Sequence, residues 1–210
     1  MIEAEWAATL VSLRVAVVAT LIATVPSIGL GWVLARRRAW WSPLLQFAVL
    51  LPLVLPPVVT GYALLLILPR GLAFTWWAAV AASAVVGVPL FVQLARSGFE
   101  AVSPHVLEAA RADGASEWRL FTDVVVPLSG PWIAAGAALH FTRGLGEFGA
   151  TLVVAGNLPG ETQTLPLALY SQIQQIGGEE ASVRLAVIAV GLAAVSFGVA
   201  RVLWRRAPSA

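Results

Sequence analysis

The amino-acid sequence predicts an all-α integral membrane protein with about five transmembrane helices. Of its 210 residues, 59% are hydrophobic and 11% are charged, and the mean hydropathy is +0.85. A helix of about 20 apolar residues crosses the ~30 Å hydrocarbon layer of a bilayer, and several uncharged runs of this chain reach that length. Residues 1–210 are therefore expected to form one transmembrane domain.

The predicted spans are, in chain order, about residues 15–34, 43–69, 71–95, 131–155 and 185–204. The first three contain no charged residue, and the fifth contains only Arg201, near its end, from where it can reach the interface. The N-terminal segment MIEAEW is acidic and lacks the basic region of a cleaved signal peptide. The first span is therefore expected to be retained.

The positions of the arginines predict the orientation. All thirteen basic residues are arginine. With the N-terminus outside and the C-terminus in the cytoplasm, nine arginines lie in inner segments and only three beside the outer ends of spans. The inner nine are Arg36, Arg37, Arg38, Arg96, Arg111, Arg119, Arg201, Arg205 and Arg206, and the outer three are Arg14, Arg70 and Arg184. Because cytoplasmic segments are enriched in basic residues, residues 96–130 are expected to be a cytoplasmic loop and residues 156–183 an outer segment.

The residue types that are missing exclude several functions. Without cysteine the chain has no disulfide and no thiolate metal site. Without lysine it has no P-loop, so any ATP hydrolysis must occur in another subunit. The sequence also contains neither HExxH nor GxSxG. We therefore expect a protein that is not an enzyme by itself and that holds no cofactor or metal.

The second span carries three prolines in its interior, Pro52, Pro56 and Pro57, shortly before Thr60. Each proline removes a backbone donor, so this helix must kink or break. One interpretation is a kink that serves packing. The other is a broken helix beside a translocation path, with Pro56, Pro57 and Thr60 at the path.

The fourth span contains three ionisable residues, His140, Arg143 and Glu147, spaced to share one helix face. Ionisable residues inside a membrane are candidates for a functional site. The alternative is that Arg143 and Glu147 neutralise each other while His140 is a satisfied interior group.

The outer segment contains a short amphipathic pattern. Leu165, Leu169, Ile173 and Ile176 form one apolar stripe, preceded by the polar residues Thr162, Gln163 and Thr164. A helix that dips into the outer mouth would explain this pattern, and so would a helix that lies on the membrane surface. The first interpretation makes the three polar residues candidates for the path or its gate.

The cytoplasmic loop has clear signals for two short helices. Ser103 is a suitable N-cap with Pro104 at the first helical position, and Gly114 is suited to end that helix. Ser116 can cap the second helix. The first helix presents small alanines beside charged side chains, which suits docking to another protein, whereas an ordinary solvated loop is an equal alternative on this pattern alone.

The loop resembles the EAA motif of the membrane subunits of bacterial ABC importers. The resemblance rests on Glu108-Ala109-Ala110, Gly114 and the closing Val124-x-Val126-Pro127, where the family has Ile-x-Leu-Pro. It implies a coupling helix that docks an ATP-binding subunit through Glu108, Ala109, Ala110, Arg111 and Gly114. The resemblance implies four partners, which are a second copy of the chain, subunits that bind ATP and Mg, an external substrate-binding protein and an oxyanion substrate. It also implies that the chain lies in the lipid bilayer of a bacterial or archaeal cytoplasmic membrane and that it binds no nucleic acid.

A longer stretch resembles the molybdate-type importer permeases within that family. It runs from Gly144 to Tyr170, GLGEFGATLVVAGNLPGETQTLPLALY, and similar stretches cover most of residues 9–200. Some members have a sixth span, for which this chain has no room. The resemblance implies an ATP-driven importer of molybdate, with sulfate or tungstate as alternative cargo. An intramembrane enzyme and a passive channel are the alternatives of another class, and a channel would not need the loop around Glu108.

Overall fold

The computed structural model describes residues 2–36 and 40–205, and within these ranges it contains helices and no β-strand. Arg37, Arg38 and Arg206, which contribute to the predicted orientation, lie outside the described residues. The helices are α1 (Ile2–Arg36), α2 (Ser42–Val54), α3 (Pro57–Ile67), α4 (Trp76–Glu100), α5 (Pro104–Ala112), α6 (Glu117–Arg119), α7 (Val126–Leu128), α8 (Gly130–Leu145), α9 (Gly149–Ala155), α10 (Leu165–Ile173) and α11 (Glu179–Arg205). A π-helical turn, Leu120–Val125, joins α6 to α7.

Three of the described helices are long and apolar enough to cross a membrane, namely α1, α4 and α11. Two bent pairs also qualify if each is counted as one span. Helices α2 and α3 meet at 113°, and the segment Glu117–Leu128 meets α8 at 70°. The all-α membrane fold is confirmed, whereas the count of five spans stays a prediction.

The second predicted span forms two helices, α2 and α3, and the first and fourth predicted spans also differ from the helices that form. Helix α1 begins at Ile2 rather than near residue 15. Glu5, a charged residue near its start, forms an ion pair with Arg184 of α11 at 2.7 Å. The helix predicted over 131–155 ends at Leu145 and resumes at Gly149 as α9. Glycine is a poor helix former, and residues 144, 146 and 149 are all glycine, which explains the break.

The core is a three-helix contact among α1, α4 and α8. The face of α4 that carries Ala79, Ala82 and Ser83 is fully buried. At Gly87, an added Cβ would lie 2.5 Å from the ring of His140, so only glycine permits this approach of α8. The small residues of α4 therefore set how closely the helices pack, as in other membrane bundles.

Helix α10 lies against α1 and α11. Its buried face carries Leu165, Leu167 and Ala168, whereas Ile173 is exposed. The predicted apolar stripe is therefore wrong beyond Leu169, because the helix ends at Ile173 and does not continue the 3.6-residue period. The contacts with α1 and α11 decide which side of α10 is buried.

Candidate docking loop and translocation path

The first loop helix, α5, starts where the sequence predicts. Ser103 precedes it in an extended conformation and Pro104 occupies its first turn, although the Ser103 hydroxyl makes no capping bond. Leu107 is buried in a cluster that includes Phe99 of α4 and Leu120 of the π-helical turn. This anchor holds α5 against the end of α4, so the opposite face of α5 is left exposed.

A Schellman motif ends α5 at Gly114. The Gly114 N–H donates to the Arg111 carbonyl and the Ala115 N–H donates to the Ala110 carbonyl, both at 3.0 Å. Gly114 has φ +84°, a conformation that costs side chains other than glycine about 1–2 kcal/mol. Its role as the bend of the loop is therefore a backbone role.

An ion pair joins the two loop helices across this turn. Arg111 Nε lies 2.8 Å from Glu117 Oε1, and Arg111 Nη2 lies 3.3 Å from Glu117 Oε2. The hydrogen bond with Arg111 lowers the pKa of the Glu117 carboxyl, and the same bond raises the pKa of the Arg111 guanidinium. Glu117 was not predicted as a site residue, although it carries an opposite charge six residues from Arg111 across a glycine turn.

The predicted coupling residues form one accessible surface. Glu108, Ala109, Arg111 and Gly114 are exposed and Ala110 is half-buried. The side chain of Glu108 is 73% exposed and lies 4.0 Å from His105 Nδ1. Trp118, which sequence analysis did not select, is 72% exposed on the same loop. Arginine and tryptophan, both exposed on this loop, are enriched at protein interfaces.

The two breaks in membrane helices lie against each other. Pro56 and Pro57 begin α3, which packs on α9. At Gly149 an added Cβ would lie 3.0 Å from Pro57 Cβ, and at Gly61 it would lie 2.7 Å from the Ala150 backbone. The start of α3 and the start of α9 therefore form one junction, which we call the break junction.

Arg143 and Glu147 lie at this junction as an ion pair. Arg143 Nη1 is 2.8 Å from Glu147 Oε2, and the side chain of Glu147 is only 2% exposed. Glu147 Oε1 also accepts the N–H of Ala150 at 2.9 Å. One carboxylate thus neutralises the arginine and satisfies a free donor at the start of α9. Glu147 lies in the break and not on the helix face predicted for it.

His140 lies apart from the break junction, in the core. It is fully buried, with Nδ1 3.0 Å from Thr20 Oγ1 and Nε2 3.1 Å from the carbonyl of Ala84. Both ring nitrogens therefore have partners from α1 and α4. This is the geometry of a satisfied interior histidine that links three helices.

The remaining polar candidates for the path, Thr60 of α3 and three residues of the outer segment, lie in two settings. Thr60 and Thr164 are buried, and neither hydroxyl has a hydrogen-bond partner among the described residues. Thr162 accepts the Leu158 N–H at 3.0 Å, and Gln163 donates to Asn157 Oδ1 at 2.9 Å. Thr162 and Gln163 thus hold their own loop together.

The fold and these sites define a class of protein, which is a helical membrane protein with a largely exposed loop, residues 101–129, between α4 and α8; we call this loop the candidate docking loop. Residues 27–207 match the family described as "Binding-protein-dependent transport system inner membrane component". The chain belongs to this family. It is therefore a multi-pass inner membrane protein and a transport subunit, and the prediction that it is not an enzyme by itself is confirmed by the family.

Curated relatives align along most of the chain. It is 41% identical to the molybdenum transport system permease protein ModB of Escherichia coli strain K12, over 92% of this chain and 91% of the relative. It is 43% identical to ModB of Haemophilus influenzae, over 91% of this chain and 90% of the relative. The sulfate transport system permease protein CysT of E. coli is 32% identical, over 87% of this chain and 70% of CysT.

A solved structure has the same fold. The MetNI methionine ABC transporter in an inward-facing conformation superposes with a TM-score of 0.78, covering 100% of this chain and 96% of the transporter chain. The two sequences are 16% identical. The predicted ABC importer permease fold is therefore confirmed.

Proposed function

We propose that this chain is the membrane-spanning subunit of an ATP-driven importer that carries molybdate into the cytoplasm. The observation that supports the cargo is identity above 40% with molybdenum permeases over about nine-tenths of both chains. The sulfate relative is less similar and is matched over a smaller share of its length. Sulfate and tungstate are the alternative cargo, because all three are tetrahedral dianions.

The exposed face of α5 supports a docking role for the cytoplasmic loop. Glu108 presents an unburied carboxylate there, and the Arg111–Glu117 pair and the Gly114 turn stiffen the surface around it. An ATP-binding subunit that holds ATP and Mg docks on this face. The N-terminus then lies outside and the C-terminus in the cytoplasm.

The translocation path runs between two copies of the chain. About five spans are too few to enclose a pore, and a C2 pair forms a closed assembly. The break junction is the part of each copy that we assign to this path, because irregular backbone at membrane depth is tolerated beside a water-filled cavity. Pro56, Pro57, Thr60, Arg143 and Glu147 belong to it.

Transport follows from docking on both sides of the membrane. An external binding protein delivers the oxyanion to the outer mouth near Thr162, Gln163 and Thr164. ATP binding draws the two docked subunits together, and rigid-body motion of the permease copies opens the path outward. Hydrolysis resets it inward.

ATPase activity of the reconstituted complex tests this function. The complex contains the permease, its ATP-binding subunit and the binding protein, with molybdate, tungstate or sulfate added in turn. We expect stimulation by molybdate or tungstate and none by sulfate. Stimulation by sulfate alone would support an ATP-driven importer but would identify its cargo as sulfate. No stimulation by any of the three would contradict the proposal.

A further inference from the structure

A cleft of about 530 Å³ opens at the end of the molecule that carries the docking loop. Its walls come from the C-terminal ends of α1 and α4 and from α5. Three arginines from three different helices line it, Arg36, Arg96 and Arg111, together with Glu100 and Glu108. A cleft with this many ionisable groups is built for a charged ligand or for water.

The ion pairs of the cleft leave one arginine unmatched. Arg96 Nε lies 2.8 Å from Glu100 Oε1, and Arg111 is held by Glu117. Among the described residues no carboxylate forms an ion pair with Arg36. Within the described part of the chain, Arg36 is therefore the cleft arginine without a carboxylate in ion-pair contact, although the charge of Glu117 acts on it from a greater distance.

Arg36 is also held in a defined position. Its guanidinium carbon lies 4.7 Å from the centre of the Trp32 ring, a distance at which a cation and an aromatic face attract each other. Its Nη2 atom is buried and has no hydrogen-bond acceptor among the described residues. A buried donor without an acceptor is destabilising, and an incoming carboxylate would satisfy it.

We propose that this cleft receives an acidic side chain of the ATP-binding subunit, with Arg36 as its ligand. The proposal rests on the docking function proposed above. Glu108 and Arg111 belong both to the cleft wall and to the docking face of α5, so a protein docked on α5 reaches the cleft mouth. The planar guanidinium of Arg36 suits a carboxylate, which it can bind through two parallel hydrogen bonds.

The docking surface therefore extends beyond the EAA motif to the end of the first helix. Arg36 contributes an anion contact and Glu108 a cation contact, on the two sides of one cleft. A partner needs one acidic and one basic group at matching positions to satisfy both. This pattern selects the cognate subunit and fixes the angle at which it docks.

The affinity of the ATP-binding subunit for the permease tests the proposal. The permease is placed in phosphatidylcholine nanodiscs as wild type, Arg36→Gln and Arg201→Gln, the last removing an exposed arginine of α11 as a matched control. We expect the Kd to rise about tenfold for Arg36→Gln and to change less than twofold for Arg201→Gln, because a charge-assisted contact is worth about 1.4 kcal/mol or more. Arg36→Lys keeps the positive charge and is expected to raise the Kd less than Arg36→Gln does.

Three results would overturn the proposal or its basis. An unchanged Kd for Arg36→Gln would show that no partner group binds there. A defect that occurs only when phosphatidylglycerol is added would assign the cleft to an anionic lipid headgroup instead. A wild-type permease that does not bind the subunit at all would contradict the docking function itself, and this outcome is distinct from a selective loss at Arg36.

Discussion

At the scale of single residues, Glu147 shows how one side chain can serve two structural purposes. Its carboxylate pairs with Arg143 and accepts the Ala150 N–H at the start of α9. A carboxylate with 2% exposure is stable only when its charge is compensated. The pair therefore holds α8 and α9 in a fixed relation across the break.

This arrangement predicts a non-additive mutant series. Arg143→Ala leaves a buried charge without its partner and is expected to lower the free energy of unfolding in detergent by about 3 kcal/mol. Arg143→Ala with Glu147→Gln removes the charge but keeps an oxygen that can accept from Ala150, so it is expected to recover most of that loss. If the double variant is as unstable as Arg143→Ala, the two residues do not act as a pair.

At the scale of elements, the docking loop is defined by local chemistry. Pro104 starts α5, the Schellman turn at Gly114 ends it, and Ser116 caps α6 by accepting the Arg119 N–H at 3.3 Å. Each signal acts within a few residues of the chain. The predicted helix ends therefore agree with the structure, whereas the long helices depend on their neighbours.

The backbone of Gly114 makes a testable prediction about this loop. Nothing lies within 4 Å of an added Cβ, so any cost of substitution comes from the positive φ. Gly114→Val is expected to weaken binding of the ATP-binding subunit about tenfold, since a β-branched residue strongly disfavours this conformation. Gly114→Asn, which tolerates it better, serves as the control and is expected to bind nearly as well as wild type. Equal defects would indicate that Gly114 itself is contacted by the partner.

At the scale of the whole molecule, two broken spans pack together, and one of them contributes α8 to the contact with α1 and α4. The core of α1, α4 and α8 is closed by small residues and by His140. The break junction places non-helical backbone next to the Arg143–Glu147 pair. Discontinuous helices of this kind are a feature of transporter folds.

The orientation of the molecule can be tested directly because the chain has no cysteine. Glu161→Cys and Ser116→Cys each introduce one thiol at an exposed position. In intact cells a membrane-impermeant maleimide is expected to label Glu161→Cys and to leave Ser116→Cys unlabelled until the membrane is opened. The reverse pattern would place the docking loop outside and contradict the proposed function.

Part of the candidate site could be predicted from sequence because the information was local. The helix around Glu108 and its glycine turn follow from capping chemistry. The spacing of Arg143 and Glu147 left two interpretations open, a neutralising ion pair or a functional site in the membrane. The ion pair is present in the structure. The dual role of Glu147 was not predictable from sequence, because it requires a break in the helix. The three glycines permit a break but do not determine where it occurs.

The sequence by itself determined the membrane class, the two short helices of the loop between α4 and α8, and the absence of an ATP-binding motif. Composition and uncharged length decide whether a chain enters a bilayer, and both are independent of packing. Only the tertiary structure decided which residues meet, including α3 with α9, Gly87 with His140, and the cleft around Arg36. These contacts join helices that are distant in the chain, and helix packing depends on shape and on satisfied polar groups rather than on local sequence.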